Sequence, residues 1–308
     1  MTVLYAAVDL PLVAAREAAA EQPLPRLPEF ERLAWRARRA AAPSDWRRWA
    51  LKLAGLEAPP GDLPLGRLLA RAAGLAVTPE ETWLLLTPIK LRAGLVDVRV
   101  EALANRLDAA GAEALAARFN AEWPARPWRM HAVAGELLLR HAGALEFSSS
   151  DPATLIAAVV SGGQPAGPGA GELRRLASEL EMWLHADPGH ERDFNALWPW
   201  GGGRGSLSGE PKWPELALAD AALAAARACH PGERRDARLV RWSLTDLAAH
   251  PEPLAAADRE WFARLAAALR QGLLAGAELH LAGIRLTLAP RQRLRAWVRP
   301  RPWWELVA

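Results

Sequence analysis

The residues best suited to chemistry lie between positions 194 and 205, where the sequence reads Phe-Asn-Ala-Leu-Trp-Pro-Trp-Gly-Gly-Gly-Arg-Gly. Consecutive N–H groups of a glycine run can form a nest for an anion, and Arg204 can clamp a phosphate or a carboxylate. The P-loop and dinucleotide patterns are both incomplete, because no Lys-Ser/Thr pair follows and Ser206 stands where a glycine is needed. The alternative is a tryptophan-anchored turn that only closes the fold. The predicted ligand-binding residues are Arg192, Asn195, Trp198, Trp200, Gly201, Gly202, Gly203 and Arg204.

A second group of polar side chains stands at the end of a predicted helix, in the order His185-Ala-Asp187-Pro-Gly-His190. Imidazole and carboxylate groups of this kind can hold zinc or manganese. The alternative is a solvated helix end, where His185 complements the helix dipole and Asp-Pro-Gly forms a turn. We therefore treat these three residues as metal candidates only, and we expect neither a bound metal nor a cofactor.

Nucleophilic catalysis requires a nucleophile, a base and an orienting group that act together. The serines at 148–150 precede Asp151 without the glycine pattern of a nucleophile elbow. Cys229 and His230 are adjacent in sequence, and the side chains of adjacent residues rarely face each other. The sequence therefore presents no convincing catalytic constellation. It favours a protein that is not an enzyme but leaves that question open.

The C-terminal segment combines arginine with tryptophan. Arginine recurs at 291, 293, 295, 299 and 301, and tryptophan stands at 297, 303 and 304. An extended strand would place arginines at every second position on one face, where they could contact phosphates while the tryptophans stack on bases. The alternative is Arg–Trp stacking that fastens the end of the chain to its domain. Nucleic-acid binding is therefore one hypothesis for this segment.

The composition is that of a folded protein. The 308 residues are 51% hydrophobic and 24% charged, with a net charge of +3, and this length suits one large or two smaller domains. The single cysteine excludes a disulfide framework. The first residues lack a basic leader, and no run of about 18 uncharged apolar residues occurs. We expect a cytoplasmic protein without a membrane partner.

The order of predicted elements indicates an α+β fold with mixed or antiparallel sheets and packed helices. A buried strand opens the chain, and residues 29–41 and the stretch after Asp45 have helical spacing. A hairpin is predicted to turn near Gly135. We expect a mostly helical region with one strand over residues 1–75 and an α+β main domain over 76–308. Residues 161–171, rich in glycine and proline, predict a flexible loop.

Part of the chain, about residues 128–217, resembles the archaeal-type, cofactor-independent phosphoglycerate mutases. The matching features are Asp151-Pro152, a helix ending at His185, and the Asn-x-x-Trp-x-Trp-Gly-x-Gly series from Asn195 to Gly203. In those enzymes this stretch lies in a domain inserted into an alkaline-phosphatase-like core, and its arginines position a phosphorylated acid. The resemblance implies that Arg192 or Arg204 has that task here.

Over its whole length the chain resembles a bacterial family called RpfE-type regulatory proteins. The shared features are Pro88-Ile-Lys-Leu91, Asn120 and the Arg-Pro-Trp tail.

The resemblance to the phosphoglycerate mutases does not imply mutase activity, because no nucleophile segment follows Asp9 and Ala153 replaces the usual histidine. The later Asp and His residues also lack the spacing of a two-metal centre. The resemblance to the mutases therefore implies a shared fold fragment and an anion site.

Taken together, these features predict a non-catalytic, regulatory or binding protein. Its partner would be a small phosphorylated or carboxylated ligand, or another protein, bound near the Trp-Pro-Trp-Gly-Gly-Gly motif. One alternative is a mutase-like enzyme that acts on phosphate esters. A second alternative is nucleic-acid binding through the Arg/Trp tail.

Overall fold

The computed structural model describes the chain except for residues 1, 11–23, 95–96, 105–106, 125, 157–159, 161–162, 187–192, 244–254, 257, 282, 290–297 and 307–308. The chain divides into two compact units. The first unit comprises Met1–Leu56, Glu210–Ala219 and Gly232–Ala308, and the second unit comprises Glu57–Gly209 and Asp220–Pro231. The domain division expected after residue 75 stays a prediction.

Strands and helices are interspersed along the chain, which confirms the α+β class with mixed and antiparallel sheets. The strands are β1 (Val3–Asp9), β2 (Arg38–Ala41), β3 (Thr82–Ala93), β4 (Val98–Leu103), β5 (Trp128–Val133), β6 (Glu136–His141), β7 (Ala196–Trp200), β8 (Lys212–Leu216), β9 (Glu233–Ser243), β10 (Gly276–Leu281) and β11 (Ile284–Leu288). The α-helices are α1 (Pro28–Arg36), α2 (Trp46–Leu53), α3 (Leu65–Ala72), α4 (Ala109–Glu122), α5 (Ala170–His185), α6 (Ala221–Cys229) and α7 (Ala263–Arg270). A π-helical turn (Asp258–Phe262) precedes α7, and 3-10 helices span Pro152–Leu155 and Trp303–Leu306. None of the helices in the described part of the chain has the length and apolar character needed to cross a membrane.

The first unit is built on a six-stranded sheet with the order β2-β11-β10-β1-β9-β8. Strand β1 lies between β9 and β10 and runs parallel to both, and β8 runs parallel to β9. Strands β11 and β2 add antiparallel pairs at one edge. Because side chains alternate along a strand, Ala6 and Val8 enter the apolar core, where Phe30 of α1 contacts Phe262. Tyr5 and Ala7 face the opposite side of the sheet.

The helix expected over residues 29–41 is shorter than predicted. Helix α1 ends at Arg36, and residues 38–41 form the edge strand β2, which pairs with β11. The arginines spaced along this stretch fit either a helix or a strand with an exposed face. The backbone partners that decide between the two belong to residues 284–287, so no local pattern could indicate them.

The second unit contains an antiparallel sheet with the order β4-β3-β6-β5, and β7 also pairs with β3. The hairpin predicted near Gly135 is confirmed, because β5 and β6 pair directly through Ala134 and Gly135. Both turn residues have positive φ, 50° and 81°, as a type I′ hairpin turn requires. Helices α4 and α5 bury leucines and aromatic rings against this sheet, including Phe119 and Leu180. This packed sheet carries the Trp-Gly motif.

Candidate functional site

The two tryptophans of the motif are part of the second unit's core. They belong to β7, in which Trp198 is 6% exposed and Trp200 is 7% exposed. Each indole N–H has an acceptor within the protein: Trp198 Nε1 donates to the Ser150 carbonyl oxygen at 3.0 Å, and Trp200 Nε1 donates to Thr87 Oγ1 at 2.8 Å. Trp200 therefore ties β7 to β3, and Trp198 ties it to the segment that contains Ser150, so both indoles are engaged in the fold.

The glycine run that follows β7 is buried and closely packed. Gly201 has a φ of +69°, and its N–H donates to Ser149 Oγ at 3.2 Å. The N–H of Gly203 donates to the Leu63 carbonyl oxygen at 3.1 Å. A Cβ on Gly202 would lie 2.4 Å from the Phe147 ring. Two of the three amides of the predicted nest therefore already donate to protein acceptors in this conformation.

Ser149 connects the glycine run to the segment before α3. Its hydroxyl donates to Asp62 Oδ2 while it accepts from Gly201, and its own backbone N–H donates to the same carboxylate oxygen at 2.8 Å. A serine that donates to a carboxylate and also accepts an amide proton is held in place by both bonds. These bonds position the turn. In the described part of the chain, the hydrogen-bond partners of Ser149 do not include a histidine that could act as a base.

Asn195 precedes β7 and binds the backbone of β3. Its amide nitrogen donates to the Leu91 carbonyl oxygen at 2.9 Å, and its side-chain oxygen accepts from the Leu91 N–H at 2.7 Å. Asn120 makes the same pair of bonds to Met130, at 2.7 and 3.0 Å. Each asparagine side chain therefore pairs with the backbone N–H and C=O of one strand residue, as a neighbouring strand would. The side-chain amide of Asn195 is thus engaged in the fold.

Arg204 is the predicted site residue whose charged group reaches solvent, with 46% of its side chain exposed. Its Nη1 lies 3.9 Å from a carboxylate oxygen of Glu146, whose side chain is 73% exposed. An ion pair this long and this exposed contributes little to stability. The Arg204 guanidinium therefore keeps most of its capacity to bind an external anion.

Helix α3 carries two further arginines, and the charge of one of them, Arg67, is affected by that of Arg204. Arg67 is 6% exposed, and its pKa is lowered by burial and then by the positive charges of Arg71 and Arg204, against the opposing charges of Glu80 and Glu81. Arg71 is exposed, one helical turn after Arg67. We call Arg67, Arg71 and Arg204 the arginine surface. Like charges that act on one another in this way add to a local positive potential, which attracts anions.

Arg67 itself is held by backbone acceptors. Its two terminal nitrogens donate to the carbonyl oxygens of Glu81 and Thr78, at 2.8 and 2.9 Å. Its Nε is buried without a hydrogen-bond partner. Helix α3 can approach β3 closely at this point because Gly66 has no side chain; a Cβ there would lie 2.4 Å from the Trp83 carbonyl oxygen. The base of the arginine surface is therefore rigid.

The Glu81 carboxylate stabilises the loop that Arg67 binds. Burial alone would raise the pKa of Glu81, but hydrogen bonds from Arg140, Trp83 Nε1 and the Thr78 N–H outweigh it and hold the pKa below its usual range. The Arg140 Nε donates at 2.7 Å and the Trp83 Nε1 at 3.0 Å. Because Glu81 is fully engaged in this way, it serves the fold and is not an exposed acid.

The predicted metal candidates are not assembled in the described part of the chain. His185 is the exposed last residue of α5, and Asp187, His190 and Arg192 lie outside the described residues. Among the residues that the structure describes, no group of three or more His, Cys, Asp or Glu side chains could hold a metal ion.

The described part of the C-terminal segment packs into the first unit. Trp303 is completely buried, and its Nε1 donates to the Pro25 carbonyl oxygen at 3.0 Å. The Arg301 guanidinium lies over the Trp35 ring at 5.7 Å. Of the predicted nucleic-acid surface, residues 291–297 lie outside the described residues. The described residues of this segment therefore make contacts that hold the end of the chain against the first unit.

Comparison with known proteins gives structural neighbours only, because no protein-family model and no curated protein matches the chain. The PH0037 protein from Pyrococcus horikoshii is similar with a TM-score of 0.40 and 11% identity, over 94% of this chain and 87% of that protein. The cofactor-independent phosphoglycerate mutase from Thermoplasma acidophilum DSM 1728 is similar with a TM-score of 0.34 and 14% identity, over 94% of this chain and 89% of the mutase. Likenesses this low do not place the chain in a family. The resemblance to RpfE-type regulatory proteins stays a prediction.

Sequence reasoning did not select Arg67 and Arg71. The available signal was their spacing of four residues within a leucine-rich helix, which places an arginine among apolar neighbours. A charged residue in such a position must find partners on folding. Arginine is frequent throughout this sequence, however, so the spacing alone did not distinguish these two residues from others.

Proposed function

We propose that this protein binds a small phosphorylated or carboxylated ligand at the arginine surface of the second unit, and that it acts by binding and not by catalysis. The observation that carries the proposal is the exposed Arg204 guanidinium, which lies 3.9 Å from Glu146 and acts on the charge of the buried Arg67, with Arg71 one helical turn after Arg67. Phosphate and carboxylate groups match the fork of donors that each guanidinium presents.

The arginine surface combines one side chain that is fixed by hydrogen bonds with two that are exposed. Arg67 is fixed by carbonyl oxygens and contributes its charge, while the exposed Arg71 and Arg204 have donors available for direct contact. Because Arg67 is already ordered, binding requires loss of side-chain freedom mainly in the two exposed arginines. In this proposal the two exposed arginines contact a small anion directly, and Arg67 contributes its charge.

The motif supports the proposal by placing Arg204. Gly203 is held by its bond to Leu63, and Gly205 has a φ of +92°, so the backbone is fixed before Arg204 and adopts a left-handed conformation after it. In this proposal the buried tryptophans and glycines position the arginine and do not contact the ligand. Arg192 and Asn195 are not needed for it.

The test is isothermal titration with inorganic phosphate, citrate and phosphoglycolate at fixed ionic strength. At least one of these anions should bind, and Arg204→Gln and Arg71→Gln should each weaken binding about tenfold or more, the loss of roughly 1.4 kcal/mol from one charge-assisted bond. Arg92→Gln is the matched control. Arg92 is an exposed residue of β3. It lies about 30 Å along that strand from Trp83, the residue that α3 approaches at Gly66, as estimated from the rise per strand residue. Its replacement should therefore leave affinity unchanged.

Two outcomes would contradict the proposal. One is equal affinity in wild type and Arg204→Gln, which would exclude this surface as the site. The other is the absence of binding for every anion, which would favour a protein partner instead. Unfolding curves of each variant should superimpose on wild type, because the two exposed arginines have few structural contacts.

A further inference from the structure

A second cluster of arginine and tryptophan lies in the first unit, on the opposite face of its sheet from the apolar core. Helix α2 begins there with Trp46 and Arg47. The Arg47 guanidinium lies over the Trp46 ring at 4.8 Å, and the Arg241 guanidinium of β9 lies over the same ring at 5.0 Å. Two positive charges therefore share one indole.

Strand register places this cluster near the ends of the parallel strands. Ala7 of β1 pairs with Arg241 on one side and with His280 on the other, so all three side chains share one face. Arg241 stands two residues before the end of β9. Open parallel sheets bind ligands beyond the carboxyl ends of their strands, where connections diverge to the two sides. Here β1 is flanked by β9 and β10, which follow each other in the chain.

The indole of Trp46 has an unused donor. Trp46 is 5% exposed, and its Nε1 is buried without a hydrogen-bond partner. The next tryptophan of the same helix, Trp49, donates its Nε1 to Glu278 at 3.1 Å. A buried N–H without an acceptor is destabilising, and native proteins usually avoid one. An acceptor supplied by a ligand would satisfy it.

We infer that Trp46 Nε1, with the guanidinium groups of Arg47 and Arg241, forms a site for a tetrahedral oxyanion such as phosphate or sulfate. One oxygen accepts from the indole N–H, and the guanidinium groups beside the ring attract the anion's charge. The inference does not require either arginine to lack other partners. It is independent of the arginine surface, because it concerns only residues of the first unit.

Trp35 provides an internal comparison. Its Nε1 is also buried without a partner, and Arg39 and Arg301 lie over its ring at 4.0 and 5.7 Å. Both of those arginines are exposed and Trp35 is only half-buried, so water screens their charges. Arg47, by contrast, is 7% exposed. A specific oxyanion should therefore bind at Trp46 and not at Trp35.

The test is a titration of ¹⁵N-tryptophan-labelled full-length protein with sodium phosphate, against sodium chloride at matched ionic strength, followed through the indole N–H signals. Trp46→Phe and Trp35→Phe assign the two signals. The Trp46 signal should shift with saturation in phosphate only, while the Trp35 signal stays in place. Arg241→Gln should raise the phosphate concentration at half-saturation about tenfold or more, and Arg241→Lys should give a smaller increase.

Arg204→Gln separates this inference from the proposed function, because it should leave the Trp46 titration unchanged. The inference fails if the Trp46 signal does not move, if it moves together with that of Trp35, or if Arg204→Gln removes the shift. It also fails if Arg241→Gln, shown to be folded by its remaining indole signals, titrates like wild type. Should that variant not fold, the Arg241→Lys titration decides, and a half-saturation equal to wild type would overturn the site.

Discussion

Gly203 lies against the backbone of Asp62 so closely that a Cβ on residue 203 would stand 1.8 Å from the Asp62 carbonyl oxygen. No side-chain rotation can relieve such a contact, because the backbone fixes the Cβ position and the atom that it meets is a backbone oxygen. The last glycine of the motif is therefore required by packing in the second unit. The same turn places Arg204 at the surface, so this packing also positions the proposed ligand-binding residue.

Gly203→Ala should destabilise the protein by about 3 kcal/mol, the upper end of the typical cost of overpacking, because this site cannot relax by a side-chain rotation. Urea unfolding, read as the change in midpoint at constant slope, measures it. Gly171→Ala is the matched control. Nothing lies within 4 Å of a Cβ at that position, which is in α5, so alanine should be neutral or slightly stabilising. Equal stability of both variants would contradict the packing described for Gly203.

Trp303→Ala should cost about 3–5 kcal/mol of unfolding free energy, because it removes a completely buried ring together with its bond to Pro25. Trp304→Ala is the control, since the neighbouring ring is only half-buried and should contribute much less. Equal unfolding free energies for the two variants would contradict this packing.

The nucleic-acid hypothesis for the tail can be tested without disturbing the core, because Arg299 is exposed. RNA or DNA binding that falls steeply with salt and weakens in Arg299→Gln would support it, and binding that is unchanged in that variant would count against it.

Glu81→Gln should remove about 2 kcal/mol of stability at pH 7 by breaking the charged bonds to Arg140. The pKa of Glu81 is lower in the folded than in the unfolded state, so its stabilisation is complete above the unfolded value of about 4.3 and is lost as pH falls through the folded value. The difference in unfolding free energy between wild type and Glu81→Gln should therefore shrink below about pH 5. A difference that grows on acidification would have the wrong sign.

Asn195→Ala should cost about 1 kcal/mol, because the N–H and C=O of Leu91 both lose their partner near the surface, where water can replace it. Asn195→Asp keeps the acceptor but places a carboxylate against the Leu91 carbonyl oxygen, so it should be no more stable than the alanine variant. Anion affinity should be unchanged in both variants. A selective loss of affinity in Asn195→Ala would restore this residue to the ligand site.

Local patterns in the sequence were sufficient for the elements whose determinants are local. Asp45 accepts from the Arg47 N–H as the N-cap of α2, and Ala134-Gly135 forms the predicted turn. The sheet of the first unit was beyond local reasoning. Strand β1 pairs with residues 237–243 and 276–280, and only the folded chain brings those segments together. Strand β2 pairs with residues 284–287, which are equally distant in sequence, so its local spacing predicts a helix.

The candidate site divides in the same way. The sequence singled out Arg204 because an arginine after three glycines is unusual, and this residue stays in the proposed site. It did not reveal that the motif's tryptophans and two of its glycine amides have acceptors within the protein. It also could not select Arg67, whose burial depends on the approach of α3 to β3. Tertiary contacts decide which of many arginines share a surface.

The most direct test compares the dissociation constants of phosphoglycolate for wild type, Arg204→Gln and Arg92→Gln at one fixed ionic strength. Binding to wild type, a loss of about tenfold or more in Arg204→Gln and an unchanged value in Arg92→Gln would support anion binding at the arginine surface. Equal affinities in all three proteins, or no binding to wild type by phosphoglycolate, citrate or phosphate, would contradict it.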